Sequence, residues 1–257
     1  MLPKLIDTHA HLQASHFDGD REAVIQRALE TGVEKIVVVS TDVDSGRQSV
    51  ALAEKHAGIY AAVGFHPTDC GAATDDDFVE IARLAQHPKT VAIGEIGMDF
   101  YWKPFSVENQ QRAFVRQLRL AQEIGKPVII HNREAGEAIL QTLRENDIRK
   151  LQGVFHCFSE DVAYARQVLD LGCHISFTGN LTYKKSTLPE VAAFTPLERL
   201  LLETDCPFMT PVPHRGKRNE PAFTVHIAEK LAEIKQASFD DVCQRTTQNA
   251  IALFKLA

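Results

Sequence analysis

The segment Ile6-Asp7-Thr8-His9-Ala10-His11 sets two imidazoles two positions apart, directly after an apolar pair. Side chains at i and i+2 of a strand emerge on the same side, so His9 and His11 can converge on one point and form half of a metal site. Such a pair also fits histidines that bond to backbone, and its weight comes from five further segments. Gly64-Phe65-His66-Pro67, Gly94-Glu95-Ile96-Gly97-Met98-Asp99, His131-Asn132-Arg133, His156-Cys157-Phe158-Ser159 and Glu203-Thr204-Asp205-Cys206-Pro207 each follow a short apolar run and carry a potential ligand or acid/base group. His9, His11, Glu95, His131, His156 and Asp205 together offer four imidazoles and two carboxylates. Mixed nitrogen and oxygen donors suit Zn²⁺ or Mn²⁺, whereas Mg²⁺ prefers more oxygen. The set exceeds what one tetrahedral ion needs. Two divalent ions sharing a carboxylate would use all of it and leave positions for water and substrate. Ions contributing about +4 against about −2 from the carboxylates make the pocket cationic, which favours an anionic substrate, notably a phosphodiester.

The elements that must position these groups are legible as eight short apolar runs: Lys4 to Thr8, Lys35 to Ser40, Tyr60 to Val63, Thr90 to Ile93, Pro127 to Ile130, Gly153 to Phe155, His174 to Phe177 and Arg199 to Leu202. Ile36-Val37-Val38-Val39 and Val128-Ile129-Ile130 are apolar throughout, as parallel strands covered on both faces require. Helical spacing fills the intervals: Val24, Ile25, Ala28 and Leu29 within Arg21 to Gly32, and Phe114, Leu118, Ala121 and Ile124 within Glu108 to Gly125. Ala135 to Leu143 and Val162 to Leu171 behave alike, and Gly32, Gly125 and Gly172 read as helix stops. The expected architecture is therefore α/β, a (β/α)8 TIM barrel, with residues 1–257 as a single domain. A doubly wound open sheet shares the alternation. What favours the barrel is the polar chemistry at the ends of six runs, since barrel enzymes draw their working residues from strand C-termini.

With a formal net charge of −6, a polyanion would be held by local cations or bound metals and not by the overall field. The five cysteines form no CxxC pair or secreted framework, and no apolar stretch reaches membrane-spanning length. A cytoplasmic protein without a membrane partner, and a monomer, is the expectation.

Taken together, the segments around His9, His66, Glu95, His131, His156 and Asp205 resemble the signatures of the TatD family of metal-dependent deoxyribonucleases, amidohydrolase-like TIM barrels. The resemblance runs from the first strand to Asn249 and implies roles residue by residue. His9 and His11 would hold one metal with Asp205, His131 and His156 would hold a second, and Glu95 would bridge. Asp205 and Glu95 would be the catalytic carboxylates, with Asp205 also accepting a proton from the attacking water. The superfamily's common bridging lysine is replaced here by Glu95, which fits this family and argues against a dihydroorotase or urease type.

Further candidates surround this set. His66 could contact a substrate phosphate or a further ion, or merely cap the loop before Pro67. Glu203 and Asp7 share the facing of Asp205 and His9 by the i, i+2 rule, and Glu203 is expected to face the mouth, where it would orient a ligand, bind a further metal or contact substrate. Arg215, Lys217 and Arg218 lie on the loop after the last strand, where barrels commonly bind phosphate, and Arg133 adjoins His131. These cations are expected to grip a nucleic-acid backbone, the alternative being a solvated loop paired with Glu220. Phe100, Tyr101 and Trp102 could stack on an unpaired base or form a rim lid. Asp99 reads best as a loop cap. Three functions compete: a metal-dependent nuclease acting on DNA, by the resemblance from an end of a single strand; a dinuclear hydrolase of a small ester, amide or lactone; and a non-catalytic, metal-stabilised binding protein.

Overall fold

A computed structural model describes residues 4–102 and 105–257. Eight parallel strands follow one another around a single sheet in sequence order: β1 (Leu5–Ala10), β2 (Val33–Val39), β3 (Ile59–Val63), β4 (Thr90–Asp99), β5 (Val128–Arg133), β6 (Gly153–Phe155), β7 (His174–Phe177) and β8 (Leu200–Leu202). The helices are α1 (Arg21–Glu30), α2 (Val43–Lys55), α3 (Asp75–Ala85), α4 (Val107–Ile124), α5 (Gly136–Glu145), α6 (Val162–Asp170), α7 (Leu188–Phe194), α8 (Thr224–Lys235) and α9 (Phe239–Phe254). Closure occurs just beyond β8, where Ala10 pairs with Cys206 and the Asp205 and His11 amides donate to His9 O and Cys206 O, both at 2.8 Å. The barrel expected from the sequence is thus the observed fold, and the open sheet is excluded by this first-to-last pairing.

Local chemistry explains where the helices begin and stop. Asp42 and Thr74 each close a capping box at the start of α2 and α3, and Ser106 accepts from Asn109 N to start α4. Gly125 ends α4 in the left-handed conformation at φ 66°.

Alternation along the strands divides the core in two. Ile36 and Val38 of β2 join Leu5, Val63 and Ile130 in the layer between barrel and helices. Val37 and Val39 join Ile6, Ala62, Ala92, Ile129, Val154 and Leu201 in a second cluster lining the barrel interior. Ala250, Leu253, Phe254 and Leu256 belong to that inner cluster, so α9 and the residues after it plug the N-terminal end of the barrel. The polar layer must therefore emerge at the opposite end.

Two strands depart from the expected boundaries, and both departures matter for the site. β1 runs to Ala10 and β4 to Asp99, each with a register shift: between Asp7 and Ala10 in β1, and between Ile93 and Ile96 in β4. Ile6 and Ala92 face the interior, whereas Ala10 and Ile96 belong to the outer layer, although each is an even number of residues farther on. Each shift therefore reverses the alternation, and this turns the odd-numbered His9 and Glu95 inward.

Candidate metal centre

His9, His11, Glu95, His131, His156 and Asp205 meet at the C-terminal end of the barrel. His131 and His156 continue the inward phase of Ile129 and Val154, and Asp205 continues that of Leu201 and Glu203. The centre is almost closed to solvent: His9 is 0% exposed, Glu95 3% and His156 5%.

Glu95 occupies the middle, and its two oxygens face different partners. Oε2 lies 3.3 Å from His9 Nε2 and 3.8 Å from His11 Nε2. Oε1 lies 2.8 Å from His131 Nδ1, 2.7 Å from His156 Nε2 and 3.5 Å from His66 Nε2. Asp205 Oδ1 closes the first group, 3.3 Å from His11 Nε2 and 3.8 Å from His9 Nε2. Four sets of candidate donor atoms emerge among the described residues, namely His9 with His11 and Asp205, Glu95 with His131 and His156, His66 with Asp99 and His131, and His9 with His156 and Glu203.

The donor chemistry fits cations. A carbonyl only accepts, so the 2.9 Å contact between His11 Nδ1 and Val39 O places the ring proton on Nδ1. In the neutral ring Nε2 then carries the lone pair, 3.2 Å from His9 Nε2 and facing carboxylate oxygens. His131 is held the same way, with Nε2 at 3.0 Å from Asp99 Oδ2 and Nδ1 left facing Glu95. Lone pairs and carboxylates pointed at one another without a positive charge between them repel, so two such convergences make this a place for metal ions.

Proton affinities carry the same signature. Burial would raise Glu95, yet His156, His66 and His9 around it hold it well below the usual carboxylate range. Burial would also raise Asp205, and the His11, His9 and His156 rings around it keep it low. In His9 and His66 burial itself prevails, lowering them to about 4 and about 3. Burial opposes protonation of His156 as well, but Glu95, Glu203 and Asp205 lift it to about 9. The carboxylates thus draw a proton onto a ring where a cation would serve.

Surrounding residues sort into those the cavity reaches and those behind it. A cavity of about 780 Å³ is lined by His11, His66, Glu95, His131, His156 and Asp205, and by Arg133, Trp102 and Phe208 on its rim. His66 stands in this wall, with Nδ1 bonded to Thr68. Glu203 does not reach the mouth as expected. It is 0% exposed, one interior layer below Asp205, where it accepts from Cys157 N and lies 3.7 Å from His156 Nδ1. Burial raises its pKa to about 7. Asp7 is also out of phase with His9, because the register shift separates them. Its carboxylate accepts from Thr204 and from His9 N, tying β1 to the segment after β8. Asp99 acts as the expected cap, Oδ1 accepting from Tyr101 N and Trp102 N, while Oδ2 takes up His131.

The cationic loop after β8 divides. Arg218 does not reach for a phosphate: it donates to both oxygens of Asp20 at 2.8 and 2.7 Å and to His16 O, and lies over Phe17. Glu220, the partner considered for these arginines, is taken by Arg27 at 2.6 Å. Arg215 and Lys217 stay exposed, Arg215 over the Tyr183 ring at 3.9 Å. That stack sets Arg215 beside Lys184 and Lys185, two exposed cations after β7 that no candidate ligand nearby in the sequence marks. Arg133 is exposed on the rim, 5.0 Å above Tyr101. Phe208 was also missed, since only the fold shows that this residue beyond Pro207 stands 54% exposed beside His11.

Backbone dihedrals at the centre are unusual at Cys157, Asp205 and Gly97 among others. Cys157 and Asp205 have φ of 43° and 55°, a region L-residues seldom occupy. Gly97 has φ 146°, and a Cβ there would lie 2.0 Å from His131 O. Glycine is what lets β4 pass this close to β5 beside a ligand.

A family model described as TatD related DNase matches residues 6–255. YabD of Bacillus subtilis, an uncharacterized metal-dependent hydrolase, is 42% identical over 253 residues, covering 98% of this chain and 99% of that protein. The crystal structure of YjjV, a TatD homolog from Escherichia coli, superposes with a TM-score of 0.93 at 34% identity and 100% coverage of both chains. A TatD-family hydrolase from Entamoeba histolytica matches with a TM-score of 0.90 at 25% identity, again over 100% of both chains. The chain belongs to the TatD family of metal-dependent hydrolases.

Proposed function

We propose that this hydrolase cleaves phosphodiester bonds of DNA, working from an end of a single strand, with two divalent ions of the Mg²⁺, Mn²⁺ or Zn²⁺ type. The observation that carries the reading is the split of Glu95, one oxygen toward His9 and His11 and the other toward His131 and His156. His9, His11 and Asp205 would hold one ion, His131 and His156 the other, with Glu95 shared. Bound there, the ions would lower the pKa of water and neutralise charge developing on phosphorus oxygens.

The chain's own residues supply the rest. Asp205, kept ionised at the cavity wall by its contact with His11, is the acceptor for the proton of the attacking water. Asp99 and the Val39 carbonyl hold His131 and His11 in the tautomers their positions need. Glu203, 3.7 Å from His156 Nδ1, would orient that ring from beneath. Arg133 and His66 line the cavity and would meet phosphate oxygens next to the scissile bond. Lys184, Lys185, Arg215 and Lys217 form no ion pair among the described residues, and they provide a cationic track for the remaining strand on a protein of net charge −6.

Metal counting on chelator-stripped and reloaded protein tests the centre: two ions per chain, with single-strand DNA cleavage restored on reloading, support the reading. Reloaded protein that binds two ions and cleaves esters but no DNA would replace it with the small-molecule hydrolase.

A further inference from the structure

Beside the central cavity lies a second one, of about 440 Å³, lined by His11, Gln13, Ser15, His16, Gln48 and Phe208 among others. His11, Thr41 and Phe208 line both, so the two are adjoining chambers parted in part by Phe208. The Phe208 ring stands edge-on to His11 at 6.4 Å and to His16 at 6.0 Å. Its floor includes Gln13, which is 8% exposed. Gln13 Nε2 donates to Val39 O at 2.9 Å, while Oε1 is buried with no donor among the described residues. Arg218 anchors this wall by donating to His16 O, and the one carboxylate lining the chamber, Asp18, is paired with Arg21 at 2.7 Å.

These linings differ in kind. The central cavity carries the candidate metal ligands and Arg133. The adjoining chamber is lined by no lysine or arginine, and offers two amides, three hydroxyls, two imidazoles and an exposed aromatic face. Such a lining does not suit a phosphate. It suits a flat heterocycle with hydrogen-bonding edges, for which Phe208 is a stacking surface and Ser15, His16 and Gln48 are the polar neighbours.

We propose that this chamber is a nucleobase subsite, seating the base next to the scissile phosphate against Phe208. The proposal rests on the phosphodiesterase reading and sharpens it: the preferred substrate carries a nucleoside on that side of the phosphate, and that base must be unpaired to enter.

The test combines binding with turnover. Single-stranded trinucleotides carrying 2-aminopurine at each position in turn are bound to Asp205→Asn protein, alone and combined with Phe208→Ala, Phe208→Leu or Phe208→Trp. The expected result is quenching at one position only, lost in the Ala and Leu forms with roughly tenfold weaker binding and recovered with Trp. In otherwise native protein, Phe208→Ala should lower the kcat/KM ratio of thymidine 5′-p-nitrophenyl phosphate over bis(p-nitrophenyl) phosphate about tenfold, chiefly through KM. Quenching at no position, or equal quenching in the Ala form, overturns the subsite. Hydrolysis of neither phosphodiester by native protein overturns the phosphodiesterase reading instead, and the quenching still decides the subsite.

Discussion

His11 donates through Nδ1 to the carbonyl of Val39 at 2.9 Å, and this one bond turns the lone pair of Nε2 toward Asp205 and Glu95. Val39 ends β2, so a neighbouring strand fixes the tautomer of a residue placed by β1. Asp99 does the same for His131 from β4. The barrel thus supplies donor orientation as well as donor position, and this is why substitutions at the centre should separate into graded effects.

Removal of Glu95 should be far more severe than removal of His66. Glu95→Ala takes away the carboxylate that faces both histidine groups, and activity should fall by more than about 10³-fold with loss of bound metal. His66→Ala should keep both ions and lose roughly 10- to 100-fold. Activity assays paired with metal counting decide it, and equal residual activity in the two variants would contradict the shared role of Glu95.

Salt dependence of DNA binding should distinguish the cations. Arg133→Ala or Lys217→Ala should make the slope of log K against log salt shallower by about 1 each. Arg218→Ala should leave that slope unchanged and lower the melting temperature, because its guanidinium is engaged with Asp20 and His16 O. A shallower slope for Arg218→Ala would return it to the phosphate track.

A pH effect on stability is expected from the opposite end of the barrel. Burial, with Arg199 nearby, lowers the pKa of His174 at the start of β7 to about 4. The folded state prefers the neutral ring, while the unfolded chain takes up a proton near pH 6.5. Stability from this residue is therefore complete above about pH 6.5 and lost as pH falls toward 4. In metal-free protein, urea midpoints should show the native chain losing roughly 1 to 2 kcal/mol more than His174→Gln between pH 7 and pH 5. Parallel losses in the two proteins would remove His174 as the cause.

The apolar runs marked all eight strands, because a sheet covered on both faces must be apolar without alternation. The donor set was legible for the same reason: histidines and carboxylates have little other business directly after buried strands. The turning of side chains by the shifts in β1 and β4 was not legible, since a register shift depends on the neighbouring strand and no local residue signals it. Asp7 and Glu203 were misplaced accordingly, one by a broken phase and the other by depth, which periodicity does not carry. Arg218, Arg215 and Phe208 needed the third dimension outright. Their partners Asp20, Tyr183 and His16 lie far away in sequence.

The central claim is tested most directly by incubating end-labelled single-stranded and duplex DNA with the metal-loaded protein, its chelated form and Asp205→Asn. The account predicts that the single strand shortens progressively from one end with the metal-loaded protein, that chelation stops it, and that the variant leaves the DNA intact. Intact single strands after incubation with protein shown to hold two ions per chain would contradict it.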